Sequence, residues 1–161
     1  MFTNVQERLY VNVYNDRESH DAVRRYIATK KWILREPTAE IPYGLLNNLE
    51  ESFSTMLLKL IDVSGKSDSE VYNRANIDRR HFSKIRSNVD YVPSKPTVLA
   101  LAVALELTIS QTEALLKKAG FTLSHSREFD VIVEYFIQSR QYDISTINEV
   151  LFAYDQPLLG L

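Results

Sequence analysis

The triplet Ser124, His125 and Ser126 holds the residue types of a nucleophile and its general base. Such catalysis needs an imidazole that faces the hydroxyl, with a site of backbone N–H groups beside them for the oxyanion. Side chains of adjacent loop residues do not face each other in this way, and no glycine-rich turn is nearby. We interpret the triplet as a helix cap. The chain offers no other set of residues with the types and spacing of a reaction, so we expect that it is not an enzyme.

The residue types that bind metals and cofactors are few and scattered. The chain has no cysteine, and its three histidines, His20, His81 and His125, include no pair spaced to share one helical face. A zinc site is therefore not expected. The four glycines stand alone, whereas a phosphate-binding loop needs several close together. The sequence predicts neither a metal nor a cofactor.

The strongest chemical signal is the charge of the segment from Arg74 to Lys95. This segment holds six basic and two acidic residues, a local charge of +4, whereas residues 121–161 hold two basic and six acidic residues, a local charge of −4. The net charge of −2 for all 161 residues hides this asymmetry. A concentrated positive field attracts polyanions such as double-stranded DNA.

Two short helices joined by a turn are predicted to carry these charges. Ser67 and Glu70 have the spacing of a capping box, which opens the first helix. Val71 and Ala75 then lie on its inner face. Asn76 is expected at the turn, because asparagine tolerates the left-handed backbone conformation.

The second helix is expected to be capped by Asp78 and to run from Arg79 to about Ser87. Since successive residues of an α-helix are about 100° apart, Phe82 and Ile85 point inward and the polar residues point outward. The outward residues, together with the lysine that follows, are the predicted DNA-binding set: Arg79, Arg80, Ser83, Lys84, Ser87 and Lys95. Arginine can contact guanine edges or phosphate, lysine contacts phosphate, and serine can contact either.

Apolar residues spaced by three and four positions predict helices around this pair. A helix of about five turns is expected from Leu45 to Gly65. An apolar, central helix covers residues 97–107, and a further helix, capped by Ser110 or Thr108, stops at Gly120.

Two more helices are expected after Ser126 and after Ser145, and Pro157 ends the last element. The apolar tail of residues 158–161 must either dock on the body of the protein or cover a partner. The longest apolar run, residues 98–105, is too short to cross a bilayer, and no signal peptide is evident, so we expect a cytoplasmic protein without membrane contact.

The domain organisation follows from these patterns. Residues 1–43 are predicted to form a small N-terminal segment, whose pattern fits strand–helix–strand or equally an all-helical structure. Residues 44–161 are predicted to form the helical bundle with its C-terminal extension. The fold class is mainly α, with five helices in the bundle, two extra C-terminal helices and an N-terminal appendage that could make the whole α+β.

The five-helix order with the pair at residues 68–87 resembles the phage-repressor-like (Cro/repressor, XRE-type) helix-turn-helix family. The resemblance covers residues 45–120. It departs from the family at Tyr72, where a small residue is usual, and at Asn76, where glycine is usual. A small residue at position 72 lets the two helices approach closely, so Tyr72 bears on the angle between them. The family resemblance implies binding of double-stranded DNA by the second helix.

A longer resemblance is to a helix-turn-helix module found at the C-terminus of uncharacterised bacterial proteins, some with a macrodomain in front. The blocks that carry it are residues 75–80 (ANIDRR), 82–87 (FSKIRS), 93–97 (PSKPT), 123–126 (LSHS), 132–137 (IVEYFI) and 155–160 (DQPLLG). This resemblance implies that residues 48–161 are a mobile accessory unit and that residues 1–47 differ between proteins.

Two functions remain open at this point. The first is a sequence-specific DNA-binding regulator of transcription that reads DNA with the helix of residues 79–87, as a homodimer on two half-sites. The alternative is an adaptor or inhibitor that binds a protein, such as a mobile-element or phage protein that blocks a CRISPR nuclease. Tyr72, the acidic C-terminal part, the apolar tail and residues 1–43 favour this alternative.

Overall fold

The computed structural model describes residue 42 and residues 44–160. The strand–helix–strand prediction for the N-terminal segment therefore lies outside the described residues. The chain divides into two compact units after Asn48, whereas the sequence places the boundary after residue 43. In the first unit the described regular element is a 3-10 helix, Leu45–Asn48.

The second unit, from Leu49 onward, contains seven α-helices in its described part. Their bounds are α1 Phe53–Ser64, α2 Asp68–Arg74, α3 Arg79–Ser87, α4 Lys95–Ala104, α5 Ile109–Lys118, α6 Glu128–Gln138 and α7 Ile144–Ala153. The described residues contain no strand, so the mainly α class is confirmed. None of these helices has the length and apolar character that crossing a bilayer requires.

Helix α4 forms the centre of the bundle. Every residue from Thr97 to Ala104 is buried, with at most 2% of its surface exposed, as expected of a helix that is apolar on all sides. The Ser94 side chain caps its first turn by accepting from the Thr97 N–H. Helices α2, α5 and α7 pack against α4. The helix ends at Ala104, earlier than the predicted residue 107, because the backbone turns left-handed at Glu106.

Helix α1 is shorter than the apolar spacing predicts. The expected five-turn helix from Leu45 is wrong, because Ser52 has an extended backbone and its hydroxyl accepts a hydrogen bond from the Thr55 N–H, 3.2 Å away. Ser52 is thus the N-cap, and the helix begins at the next residue, Phe53. Leu49 lies before the cap and is 76% exposed. Its spacing fits the apolar stripe of α1, but its side chain contributes nothing to the core.

Helix α7 begins two residues earlier than the sequence predicts. Asp143, and not Ser145, caps it by accepting from the N–H and the hydroxyl of Thr146, at 3.1 and 2.6 Å. These hydrogen bonds lower the pKa of Asp143, and the bond from the Thr146 hydroxyl has the largest effect. Because the pKa is lower in the folded state, the cap stabilises the fold above the pKa of the unfolded chain, and the effect is lost as the pH falls through the folded-state value.

Five helices end in the same way. A residue with a left-handed backbone follows the helix, and its N–H and that of the next residue both donate hydrogen bonds to carbonyls of the last turn. The left-handed residues are Asn76, Glu106, Gly120, Arg140 and Asp155. At the end of α6, for example, the Arg140 N–H donates to the Ile137 carbonyl and the Gln141 N–H donates to the Phe136 carbonyl. This is the Schellman arrangement, in which glycine is the favoured left-handed residue. Four of the five positions are not glycine and therefore carry backbone strain.

We predict that Arg140→Gly raises the free energy of unfolding by about 0.5–1 kcal/mol, because glycine removes the strain at φ 55°. Urea denaturation measures the change. Arg140→Ala is the control, since it removes the same side chain and retains the strained Cβ. Equal stability of the two variants would contradict the prediction.

The described residues of the apolar tail, 158–160, dock on the helices, the first of the two expected alternatives. Leu159 is completely buried. Its backbone N–H donates to the Asn148 Oδ1 at 2.8 Å, and its carbonyl accepts from the Asn148 Nδ2 at 3.1 Å. Asn148 of α7 thus binds both the N–H and the carbonyl of Leu159 in the tail.

Candidate nucleic-acid interface

Helix α2 begins as its sequence predicts. The Ser67 hydroxyl accepts from the Glu70 N–H, and the Glu70 carboxylate accepts from the Ser67 N–H and hydroxyl, at 2.7 and 2.8 Å. The predicted capping box is confirmed. The two hydrogen bonds from Ser67 lower the pKa of Glu70, and the bond from the backbone N–H has the largest effect.

The turn between α2 and α3 is short and fixed by hydrogen bonds. Asn76 has φ 52°, and the following N–H of Ile77 donates to the Tyr72 carbonyl at 2.9 Å. Asp78 then caps α3, because its Oδ1 accepts from the N–H groups of Arg80 and His81. The predicted left-handed turn at Asn76 and the predicted cap at Asp78 are both confirmed. The turn therefore sets where α3 starts.

Helix α3 has a buried face and a wide exposed face. Phe82 and Ile85 are buried as predicted, and His81 is half-buried. Consecutive positions in the chain are about 100° apart around the helix axis. With this spacing, the exposed residues of the predicted DNA-binding set all fall on one arc of about 140°. We call this surface the basic ridge; its members are Arg79, Arg80, Ser83, Lys84 and Ser87. Helix α3 thus presents three cations around two serine hydroxyls.

Tyr72 is part of the contact between α2 and α3. Its ring is half-buried and packs on the ring of Phe82, with the centroids 5.7 Å apart and the planes tilted by 50°. Such tilted aromatic pairs are favourable. The large side chain at this position is thus accommodated against the inner face of α3.

Two side chains outside α2 and α3 hold α3 in place. Ser54 of α1 is buried and donates its hydroxyl to the Ile85 carbonyl at 2.8 Å. This bond satisfies a carbonyl of the last turn, which has no partner within the helix. Tyr91, in the loop after α3, has its hydroxyl 3.2 Å from the His81 Nε2, and its ring lies under the Lys84 Nζ, 4.1 Å from the centroid. This cation–π contact orients Lys84. The sequence interpretation missed both side chains.

Three basic residues of the Arg74–Lys95 segment form ion pairs with acidic residues outside it. Arg74 pairs with Glu106 at 2.5 Å, and Arg86 pairs with both carboxylate oxygens of Asp68, at 2.6 and 2.5 Å. The third is Lys95. The positive charge that the sequence shows is therefore partly neutralised. Within the described part of the chain, the three cations of the basic ridge have no carboxylate partner.

Lys95 does not belong to the basic ridge. Its Nζ donates to the Asp130 Oδ2 and to the Thr122 carbonyl, both at 2.6 Å. Asp130 is completely buried and also accepts from the Ser124 N–H at 2.9 Å. The ammonium, on a side chain that is 15% exposed, is thus held between the start of α4 and α6. The expectation of a phosphate contact from Lys95 is therefore wrong, and Lys95 is not part of the interface.

The Ser–His–Ser triplet forms neither a catalytic arrangement nor the expected helix cap. The cap prediction is wrong, because α6 begins after Arg127 and has no hydrogen bond from a side-chain cap. The hydroxyls of Ser124 and Ser126 lie 2.7 Å apart, and the His125 Nε2 lies 2.8 Å from the Glu134 Oε2. No hydrogen bond joins the imidazole to either hydroxyl in the described structure. Nor do the described residues contain a group of three or more metal-ligating side chains.

The chain was compared with protein-family models, with curated proteins and with solved structures, and none of them matches. The resemblance to repressor-like helix-turn-helix domains stays a prediction.

Proposed function

We propose that the protein is a cytoplasmic, sequence-specific DNA-binding regulator of transcription that uses α3 as its reading helix. The observation that carries the proposal is the basic ridge. Its cations remain exposed while the neighbouring basic residues Arg74, Arg86 and Lys95 are neutralised by ion pairs. A charged surface of this kind on one helix face suits the major groove, which admits an α-helix.

Different residues of the basic ridge have different roles in this proposal. Ser83 and Arg80 lie within the exposed arc, between Arg79 and Lys84 at its two edges, so these two side chains contact base edges. Arg79, in the first turn, and Lys84, oriented by Tyr91, contact phosphates on the two sides of the groove. Two chains bound as a homodimer would place their α3 helices on half-sites about 34 Å apart.

We predict that Arg80→Ala weakens binding by about 1–3 kcal/mol and relaxes the base preference at one position. Lys84→Ala is expected to weaken binding to all sequences alike and to reduce the salt slope by about one. Duplexes selected by the wild-type chain from a random-sequence pool provide the probes, and titration at several salt concentrations measures affinity. Arg127→Ala, an exposed arginine at the start of α6, is the control. An Arg80→Ala variant that selects the same sequences with unchanged affinity would contradict the role of Arg80.

A protein-binding adaptor or inhibitor is the second candidate, and exposed aromatic side chains on α6, on α7 and directly after α7 favour it. Tyr135, Phe152 and Tyr154 are each at least 59% exposed, and aromatic residues are enriched at protein interfaces. If this function is correct, Phe152→Ser abolishes capture of a stoichiometric host protein, whereas Arg80→Ala does not. Recovery of no stoichiometric partner by the wild-type chain would exclude it.

A further inference from the structure

In the tail that follows α7, Gly160 lies against the turn that precedes the basic ridge. Gly160 is buried, and a Cβ placed on it would lie 1.9 Å from the Ala75 carbonyl oxygen and 2.9 Å from that of Asn76. No real Cβ approaches an atom so closely, and both obstacles belong to the backbone. Because no side chain separates them, the backbone of the tail rests directly on the backbone of the α2–α3 turn.

The same tail is fixed at its other side by α7. Leu159 fills a buried site and forms the paired hydrogen bonds with Asn148. A pair of bonds to the N–H and the carbonyl of Leu159 defines the register of the tail, and in this register Gly160 lies at the turn. Helix α7 and the turn are thereby connected through two tail residues.

This contact bears on the direction of α3. Ala75 ends α2 and Asn76 carries the left-handed backbone, so the carbonyls that touch Gly160 belong to the two residues that change the chain direction. A non-glycine residue carries strain in this conformation, and a restraint from its surroundings helps to hold it. The tail supplies such a restraint from the outside of the turn.

We propose that Asn148, Leu159 and Gly160 are positioning residues that brace the α2–α3 turn and so hold the basic ridge at the angle for reading base edges. The effect on DNA reading rests on the proposed function. The bracing of the turn does not, and it is measured separately. Base contacts need α3 at one depth and angle in the groove, whereas phosphate contacts tolerate displacement.

The test compares Gly160→Ala with Gly120→Ala in the full chain. Both glycines have a left-handed φ, 76° and 74°, but a Cβ on Gly120 meets nothing within 4 Å. The two substitutions add the same strain, and only Gly160→Ala obstructs the turn. We expect Gly160→Ala to lower the ratio of affinities for the selected duplex and a scrambled duplex on the order of tenfold, the effect of one lost base contact. Partial unfolding alone would lower both affinities equally and leave this ratio unchanged.

Amide hydrogen exchange of Asn76 and Ile77 measures the bracing itself, because both N–H groups donate within the turn. We expect about tenfold faster exchange of these amides, relative to those of α4, in Gly160→Ala but not in Gly120→Ala. If Gly160→Ala does not fold, Asn148→Ala takes its place, because it removes the two hydrogen bonds to Leu159 and adds no clash. It should change the exchange rates and the affinity ratio in the same direction. Exchange rates and affinity ratios equal to those of Gly120→Ala would overturn the bracing. If the wild-type chain selects no duplex, the regulator proposal fails, and the exchange measurement alone decides the bracing.

Discussion

Replacing Lys95 by methionine is expected to lower the free energy of unfolding by about 3–5 kcal/mol. Asp130 is completely buried, its Oδ1 has no hydrogen-bond partner, and its Oδ2 accepts from Lys95 and from the Ser124 N–H. Without the ammonium, a carboxylate remains inside the bundle with a single donor. Removing one member of a buried pair costs more than the pair itself contributes, because the other charge is left uncompensated.

Urea denaturation measures this effect, and Lys59→Met is the matched control. The pair of Lys59 with Glu51 is also 2.6 Å long, but its side chains are 68% and 35% exposed, and exposed pairs contribute about 0–1 kcal/mol. The double variant Lys95→Met with Asp130→Leu should recover most of the lost stability, since it leaves no buried charge. A loss in Lys95→Met no larger than that in Lys59→Met would show that the pair is not buried in solution.

The second large effect is expected from Leu159→Ala, which should lower the free energy of unfolding by about 2–3 kcal/mol. The side chain is completely buried, and its removal leaves a cavity beside α7. The value is at the lower end of the range for buried leucines because the tail can undock and relieve part of the cost.

Thermal or urea unfolding measures the Leu159 effect. Leu158→Ala is the control, because it removes the same side chain from the neighbouring, half-buried position. We expect its cost to be less than half as large. Equal costs for the two leucines would show that residue 159 does not occupy a buried site.

The parts of the fold that the sequence predicts well are those governed by neighbouring residues. Helices α2 and α3 begin where expected because Ser67, Glu70 and Asp78 are side chains that cap a helix within three residues of themselves. The left-handed turn at Asn76 and the inward direction of Phe82 also follow from local rules. These are the elements that position the basic ridge, so most of the candidate site is visible in the sequence.

The apolar spacing misled where a competing local interaction decides the boundary. Leu45 and Leu49 continue the stripe of α1 at helical spacing, but the Ser52 cap breaks the helix between them and Phe53. Apolar periodicity reports which residues would share a face if a helix formed. It does not report where the helix begins.

The charge pattern misled because ion pairs join residues that are far apart in the chain. Arg86, Arg74 and Lys95 pair with acidic residues 18, 32 and 35 positions away. A count of charges within one segment cannot include such partners. The docking of Gly160 on the α2–α3 turn is equally long-range, and the only local signal is a lone glycine after two leucines.

The central claim is that the basic ridge binds double-stranded DNA, and a duplex titration at low salt tests it most directly. The triple variant Arg79→Ala, Arg80→Ala, Lys84→Ala is compared with the triple variant Lys59→Ala, Lys117→Ala, Arg127→Ala, which removes the same charge from exposed positions outside α3. We predict that the first lowers the affinity for the selected duplex on the order of a hundredfold and that the second leaves it within about threefold of wild type. Equal losses in the two variants, or a wild-type chain that binds no duplex, would contradict the claim.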